Sequence, residues 1–453
     1  VLQDGTKCFT LKITTLIAPE VSLVKLRLPG LLFLLTLASP SLFPQTGTQT
    51  GSVAISGVGT VLHGSGAPNT PAQQSKHYVV LVSLDGFRYD YPVKWGAPHI
   101  ADLARTGATA PGGMLPSYPS ITFPNHFTIV TGLFPEHHGL VANSFYDPAT
   151  KKSYAIRDPK AVTDGSWYSG TPLWSLAEQQ GMVAASFFWP GSEAQVAGQR
   201  PEDYLVFDDR VADQKRIDQV IAWLQLPPAQ RPHFITLYYS NTDHAGHAFG
   251  PNSDEERDAV HHVDGLIGEL HERLAATQLP IDLIVLADHG MVATQGDWVV
   301  LDRYADLGHF KTDGPLLYPD TEADAARAYA EFKKHPDPRF TVYRRADVPA
   351  YLHYNENPRE GDPVIVPNGP YPITAHQPQR HPSAGDHGFD AIRMPEMRAL
   401  FVANGPDIQP GTTLKTFPNL DVYDFIAKLL GLTPAPNDGT LAPLLPALKP
   451  TGN

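Results

Sequence analysis

The sequence predicts an α/β fold with a mainly parallel central sheet flanked by helices, and three observations carry that prediction. Apolar runs of strand length alternate along the chain with segments of helical spacing, the order that yields a parallel sheet with crossover helices. Runs such as 78–84, broken only by Ser83, and 281–287, broken only by Asp282, are apolar at nearly every position and not only at alternate ones, which marks strands covered on both faces. The polar residues with chemical potential follow the ends of these runs, at the sheet edge where open α/β folds bind ligands.

The elements follow in order. Lys25 and Arg27, an apolar run from Leu28 to Ala38, and then Ser39, Pro40 and Ser41 have the layout of an export signal. The apolar run is too short to span a bilayer, and no Cys follows it to carry a lipid. Residues 1–43 are therefore expected as an extension with a signal peptide. The mature chain is expected to be exported, periplasmic or secreted, without a stable membrane span. Residues 44–76, rich in Gly, Ser, Thr, Pro and Gln, read as a flexible linker, and 77–453 as the folded domain.

Within that domain, 78–84 is a strand ending in Asp85-Gly86, and 99–105 has helical spacing. A short helix is expected at 124–130, opening with Pro124. Thr171-Pro172 starts another helix that Gly181 stops. Strands are expected at 183–188, 234–239, 281–287 and 398–403, and helices at 210–226, 254–276 and 422–430. Residues 303 to about 380, dense in Pro, Tyr and charge, look like an irregular insertion over one edge.

Composition bounds the function. The chain has 453 residues, 42% of them hydrophobic, enough to bury a core without a disulfide or metal. A formal net charge of -13 disfavours nucleic acid or an anionic membrane as a general partner. If the protein handles phosphate esters, local positive charge must offset that field, and bound metal ions supply it. The only cysteine is Cys8, so a metal site here draws on His and Asp.

Asp85, Asp243 and the pair Asp288-His289 each stand at or just past the end of an apolar run. Asp243 and His247, four apart, share a helix face, and His387 sits in the loop Gly385-Asp386-His387-Gly388. Singly, such residues are mostly caps, turn residues or solvated pairs; together on one sheet edge they form a ligand set suited to zinc. Thr122 lies in Ser120-Ile121-Thr122-Phe123-Pro124-Asn125-His126, where it is by default an N-cap beside an anion-binding helix end. Its hydroxyl is a weak nucleophile unless a metal lowers its pKa.

These segments resemble the nucleotide pyrophosphatase/phosphodiesterase family of the alkaline phosphatase superfamily. The resemblance rests on Val82 to Arg88, Thr122 to His126, Thr131 to Gly139, Asn143 to Asp147, Trp189-Pro190-Gly191-Ser192, Asp243 to His247, Asp288 to Met291 and His387 to Asp390, in family order. It implies an alkaline phosphatase-like core and two zinc ions, one on Asp243, His247 and His387, the other on Asp85, Thr122, Asp288 and His289. It implies Thr122 as nucleophile, with Asn143 and the Phe123 N–H holding a phosphoryl oxygen. Phe123 and Tyr238 would sandwich an aromatic base, with core packing as the competing reading for Tyr238 on its buried strand.

The expected substrate is a small nucleotide or phosphodiester, cleaved through a covalent phosphothreonine. An alkaline phosphatase-type monoesterase, a choline or lysophospholipid phosphodiesterase and an idle binding protein are the alternatives. A monoesterase needs cations for the extra phosphoryl oxygens, and no Lys or Arg follows Phe187 until Arg200. Loss of ligands would mark an idle relative, and all seven are present.

Overall fold

The run at 78–84 forms a strand with every residue buried, as its Val- and Leu-rich composition favours. In the computed structural model, which describes residues 54–64 and 66–450, it lies inside a nine-stranded sheet. The strands are β1 Leu62–His63, β2 Tyr78–Leu84, β3 Ala108–Thr109, β4 Ala184–Phe187, β5 Asp203–Tyr204, β6 Phe234–Tyr239, β7 Ile281–Leu286, β8 Phe401–Asn404 and β9 Thr412–Thr413. Their spatial order is β1-β5-β4-β6-β2-β7-β8-β3-β9. From β5 to β7 the strands run parallel. β8 is antiparallel to both β7 and β3, and β1 to β5. The predicted export signal and residues 44–53 lie outside the described residues.

Register fixes the working edge. Val82 stands opposite both Leu237 and Val285, so β2, β6 and β7 end level with one another. Whatever follows them in sequence must meet.

The helices longer than one turn are α1 Pro98–Thr106, α2 Thr122–Thr131, α3 Leu173–Gln179, α4 Asp213–Leu224, α5 Asn241–Phe249, α6 Asp254–Ala276, α7 Glu322–Lys334 and α8 Asp421–Leu430. α2, α3 and α8 pack as one layer; α1, α4 and α6 form another. The long α6 is set by local chemistry: Ser253 accepts from the Glu256 N–H, and three acidic residues occupy the first turn, where they oppose the helix dipole. Among the described residues no helix is long and apolar enough to cross a membrane.

Two expectations need correction. The insertion at 303–380 is ordered, not irregular. It contains a hairpin of Phe310–Asp313 with Leu316–Pro319, then α7, then a second hairpin of Phe340–Tyr343 with Val364–Pro367. Leu317, Phe332, Phe340, Val342 and Ile365 give it a small core of its own. Its alternation is hidden by short strands and by Pro and charge between them. Arg359 ties it to the sheet domain, pairing with Asp147 at 3.0 Å and donating to the carbonyls of Gly139 and Trp167.

Residues 54–64 and 66–76, expected to be part of a linker, pack against the domain. β1 pairs with β5, and Val58 and Val61 are buried. Asn69, 3% exposed, donates to the carbonyls of Pro228 and Arg231 and accepts from the Val183 N–H. A composition rich in Gly, Pro and Ser concealed one side chain that closes three backbone bonds.

Removing that clamp leaves buried backbone groups unpaired, each at a cost of about 1–3 kcal/mol. Asn69→Ala is therefore expected to lower the unfolding free energy by about 2–3 kcal/mol, read from the urea midpoint at constant slope. A loss below about 0.5 kcal/mol would show that the segment is detachable.

Candidate active site

The site assembles where β2, β6 and β7 end. Asp85 follows β2 directly, and Gly86 turns the chain with φ +70°. A Cβ on Gly86 would stand 3.0 Å from the Asp243 Cα; only glycine lets the β2 turn and α5 approach this closely. α5 follows β6 and carries Asp243 and His247 on one face, 3.3 Å apart. Asp288 and His289 follow β7 as it leaves the sheet. Gly385 and Asp386 pair with Val292 and Ala293 and bring His387 over the edge.

Thr122 opens α2, two residues earlier than the expected helix, so Pro124 lies in the first turn where a missing N–H costs nothing. Thr122 is half-buried, whereas the rest of the helix from Pro124 is buried all round. The Phe123 N–H donates to Asn143 Oδ1 at 3.0 Å. That N–H is thus committed within the protein, contrary to the expectation that it holds a phosphoryl oxygen, and Asn143 offers its Nδ2 instead.

The seven residues with metal-ligand chemistry come together in two adjoining groups. In the first, His387 Nε2 lies 3.1 Å from His247 Nε2 and 3.5 Å from Asp243 Oδ1. In the second, His289 Nε2 lies 3.0 Å from Asp288 Oδ2, 3.2 Å from Thr122 Oγ1 and 3.4 Å from Asp85 Oδ1. The groups share a boundary: the His289 and His387 rings stack at 3.6 Å, and Asp243 reaches Asp85 and His289 as well.

Hydrogen-bond accounting tests whether these residues fit a cation. His247 Nδ1 meets the Gly385 carbonyl, His289 Nδ1 that of Gly290, and His387 Nδ1 that of Ser120, at 2.9–3.0 Å. A carbonyl only accepts, so each Nδ1 carries the proton, and in the neutral ring each Nε2 presents a lone pair. Two of those lone pairs face each other across 3.1 Å. Asp85 Oδ1, Asp243 Oδ1 and Asp288 Oδ2 are buried without any hydrogen bond. Acceptors converge here on acceptors, an arrangement that is costly unless a cation sits among them. The back-bonded Nδ1 is also the support that metal-bound histidines use.

The charges point the same way. Burial, then Asp288 and Asp243, push the Asp85 carboxyl well above its usual range. Burial opposes charge on His289, but Asp288, Asp85 and Asp243 outweigh it and, with no cation among them, push the ring up to about 10, so that a proton on Nε2 stands where a cation would. Burial and the neighbouring His289 and His247 hold His387 well below the usual value. These groups strain against each other as they stand, as expected of a functional cluster.

Around the ligands stand residues that the sequence did not single out. His126, fully buried, donates Nδ1–H to the Thr122 carbonyl at 2.8 Å and lies 3.3 Å from Asp288 Oδ2. Its Nε2 accepts from the Ser83 hydroxyl. Trp189 Nε1–H donates to the His126 carbonyl, which explains a Trp at that point of the chain. Tyr238 is not placed to sandwich a base. It is 8% exposed, and its hydroxyl donates to Asp85 Oδ2 at 2.6 Å. The exposed aromatic is Phe207, 47% accessible and 5.9 Å from the Tyr238 ring. Phe123 is half-buried, 6.5 Å from Tyr154.

Known proteins share this arrangement of sequence and fold. A family model described as type I phosphodiesterase / nucleotide pyrophosphatase matches residues 79–390. Human ectonucleotide pyrophosphatase/phosphodiesterase family member 1 is 37% identical over 404 residues, 84% of this chain and 43% of that protein. The chain thus spans less than half of that relative. An uncharacterized pyrophosphatase/phosphodiesterase of Schizosaccharomyces pombe is 35% identical over 393 residues, 81% of this chain and 80% of that one. Murine ectonucleotide pyrophosphatase/phosphodiesterase 5, solved as an inactive variant in complex with AMP, gives a TM-score of 0.78 at 29% identity, covering 83% of this chain and all of that one.

Tyr238 supplies a separable test of the cluster. Tyr238→Phe removes the one donor that orients Asp85 and keeps the ring packing. Outer partners of this kind are worth about 10–100-fold in metal affinity, so zinc competition titration should show a loss in that range with the fold unchanged. Unaltered affinity would mean that Asp85 needs no orienting partner.

Proposed function

The chain belongs to the type I phosphodiesterase/nucleotide pyrophosphatase family, and from that premise we propose that it hydrolyses phosphodiester or phosphoanhydride bonds of nucleotides, with Thr122 as nucleophile. The observation that carries the reading is the convergence of unpaired acceptors around the Thr122 hydroxyl. Asp243, His247 and His387 would hold one zinc ion, and Asp85, Asp288, His289 and Thr122 a second. When bound, these ions supply positive charge against the phosphoryl oxygens and lower the pKa of the threonine hydroxyl.

The remaining work falls to the protein's own groups. Thr122 Oγ1 sits at the N-terminus of α2, where the helix dipole favours the phosphate it attacks. His126 anchors the Thr122 backbone and so fixes the direction of its hydroxyl. The Thr122 oxygen forms a bond to phosphorus and its proton passes to solvent; the bond to the leaving group breaks, with the electron pair departing on that oxygen. Asn143 Nδ2 donates to a phosphoryl oxygen, the role of an oxyanion-hole donor. Water then enters from the leaving-group side and frees the nucleoside monophosphate from Thr122. Phe123 and the exposed Phe207 are the faces offered to a base, with Phe207 in place of Tyr238, since stacking tolerates any base. The AMP held by the murine neighbour supports a nucleotide as the bound half.

The diester reading is favoured over a monoesterase because, among the described residues, no Lys or Arg bonds to Thr122. Arg200, the first basic residue after β4, is turned to the Glu193 carbonyl. An exported location belongs to the same proposal, supported by relatives named as ectoenzymes.

Thr122→Ala is expected to reduce hydrolysis of thymidine 5′-monophosphate p-nitrophenyl ester by at least about 10³-fold with an unchanged circular dichroism spectrum. The wild type should prefer that diester over p-nitrophenyl phosphate by at least about a hundredfold in kcat/KM, near 3 kcal/mol of transition-state discrimination. Turnover surviving in the variant removes Thr122 from the chemistry, and the reverse preference makes the enzyme a monoesterase.

A further inference from the structure

The sheet gathers a second set of metal-ligand side chains at the edge opposite the active site. β2 and β7 run parallel, with Val79 opposite Asp282, and β8 runs back against β7, with Asn404 opposite Leu283. His77 just before β2, Asp282 at the start of β7 and Asp407 just after β8 therefore meet at one end of the sheet. A ring nitrogen of His77 and one carboxylate oxygen each of Asp282 and Asp407 lie within 4.8 Å of one another. Asp282 precedes Asp288 by six residues of chain, about 20 Å of extended strand, so this cluster is separate from the catalytic ligands.

Asp282 is the residue that lacks a partner. It interrupts an otherwise apolar strand and is fully buried. Its Oδ1 accepts from the Asp407 N–H at 3.0 Å, but among the described residues its Oδ2 has no hydrogen bond. A buried carboxylate oxygen with neither donor nor cation is costly. The loop after β8 is pressed directly onto it: a Cβ on Gly405 would stand 2.6 Å from the Asp282 Cα, an approach that requires glycine. What the loop delivers is a second carboxylate and not a counter-ion. Lys449 is near, but its Nζ donates to the Pro406 carbonyl, and among the described residues it forms no ion pair with either aspartate. Burial, opposed by the Asp407 N–H and reinforced by the Asp407 charge, pushes the Asp282 carboxyl up to about 7.

We propose that Asp282, Asp407 and His77 bind a divalent cation of the manganese class, which clamps the start of β2, the start of β7 and the segment after β8 together. Two carboxylates and one imidazole make an oxygen-rich set. The His77 and Asp407 side chains are 37% and 39% exposed, so water completes the coordination, as suits manganese. His77 Nδ1 and Asp407 Oδ2 stand 2.6 Å apart. Neighbouring ligands of an octahedral ion stand about 3 Å apart, so a small opening of two part-exposed side chains admits one. Among the described residues His77 Nε2 has no partner; the ring keeps its proton there and turns the Nδ1 lone pair inward. Without a cation the same residues form an imidazolium–carboxylate pair beside a protonated Asp282. The site does not depend on the phosphodiesterase reading.

The test is a Mn²⁺ titration read by electron paramagnetic resonance, on protein already carrying two equivalents of zinc. Zinc outcompetes manganese for the histidine-rich catalytic ligands and leaves the far edge to be probed. Wild type is compared with His77→Gln and Asp407→Asn, both at part-exposed positions. The wild type should bind one Mn²⁺ that each variant binds at least about tenfold more weakly. Circular dichroism and kcat/KM for the thymidine diester should be unchanged in both. No binding by the wild type up to about millimolar Mn²⁺, or an affinity unaltered in either variant, overturns the proposal. A wild type inert toward the diester would sink the phosphodiesterase reading alone, because the titration reads this site without turnover.

Discussion

Negative and lone-pair electron density is concentrated at one end of the sheet, with more acceptors than the few donors there, such as the Tyr238 hydroxyl, can satisfy. Three carboxylate oxygens carry no hydrogen bond, and three imidazole nitrogens point inward with their protons turned outward to backbone carbonyls. Such a cluster is a liability for folding stability and is tolerated where a cation completes it. The placement of Thr122, the narrow turn at Gly86, and the position of α5 all follow from the need to hold those acceptors close together.

The scaffold meets that need through backbone geometry more than through side-chain packing. Parallel strands ending level deliver Asp85, α5 and Asp288 to one line. Each histidine is then locked by a carbonyl from a different segment: the 385 loop, the turn after β7 and the segment before α2. His126 couples the two sides of the chemistry, since it touches both the Thr122 carbonyl and Asp288. A fault in one segment is thereby transmitted to the others.

Much of this was legible in the sequence, for definite reasons. β2, β6 and α6 lie where continuous apolar runs or strong caps put them, because burial on both faces leaves no alternative pattern. Asp85, Asp243, Asp288 and His289 were legible because each stands at or just past the end of such a run, whereas His247 was marked by its spacing from Asp243, and His387 and Thr122 chiefly by the motifs around them. Tyr238 misled because strand alternation says which face a residue takes, and not what its hydroxyl meets; its partner Asp85 is 153 residues away. Phe207 lies in an irregular stretch between β5 and α4, where no periodicity marks an exposed aromatic. The insertion and the segment at 54–76 were misread because composition reports the average of a stretch. Asn69, Arg359 and a handful of alternating apolar positions are enough to order them.

The most direct test of the central claim is an anomalous difference map at the zinc absorption edge from a crystal of the zinc-loaded protein. Two peaks are expected, one bounded by Asp243, His247 and His387 and the other by Asp85, Asp288, His289 and Thr122. A single peak confined to one group, or none in either, would contradict the account, because the unpaired acceptors would then have to be compensated by protons and Thr122 would have no means of activation.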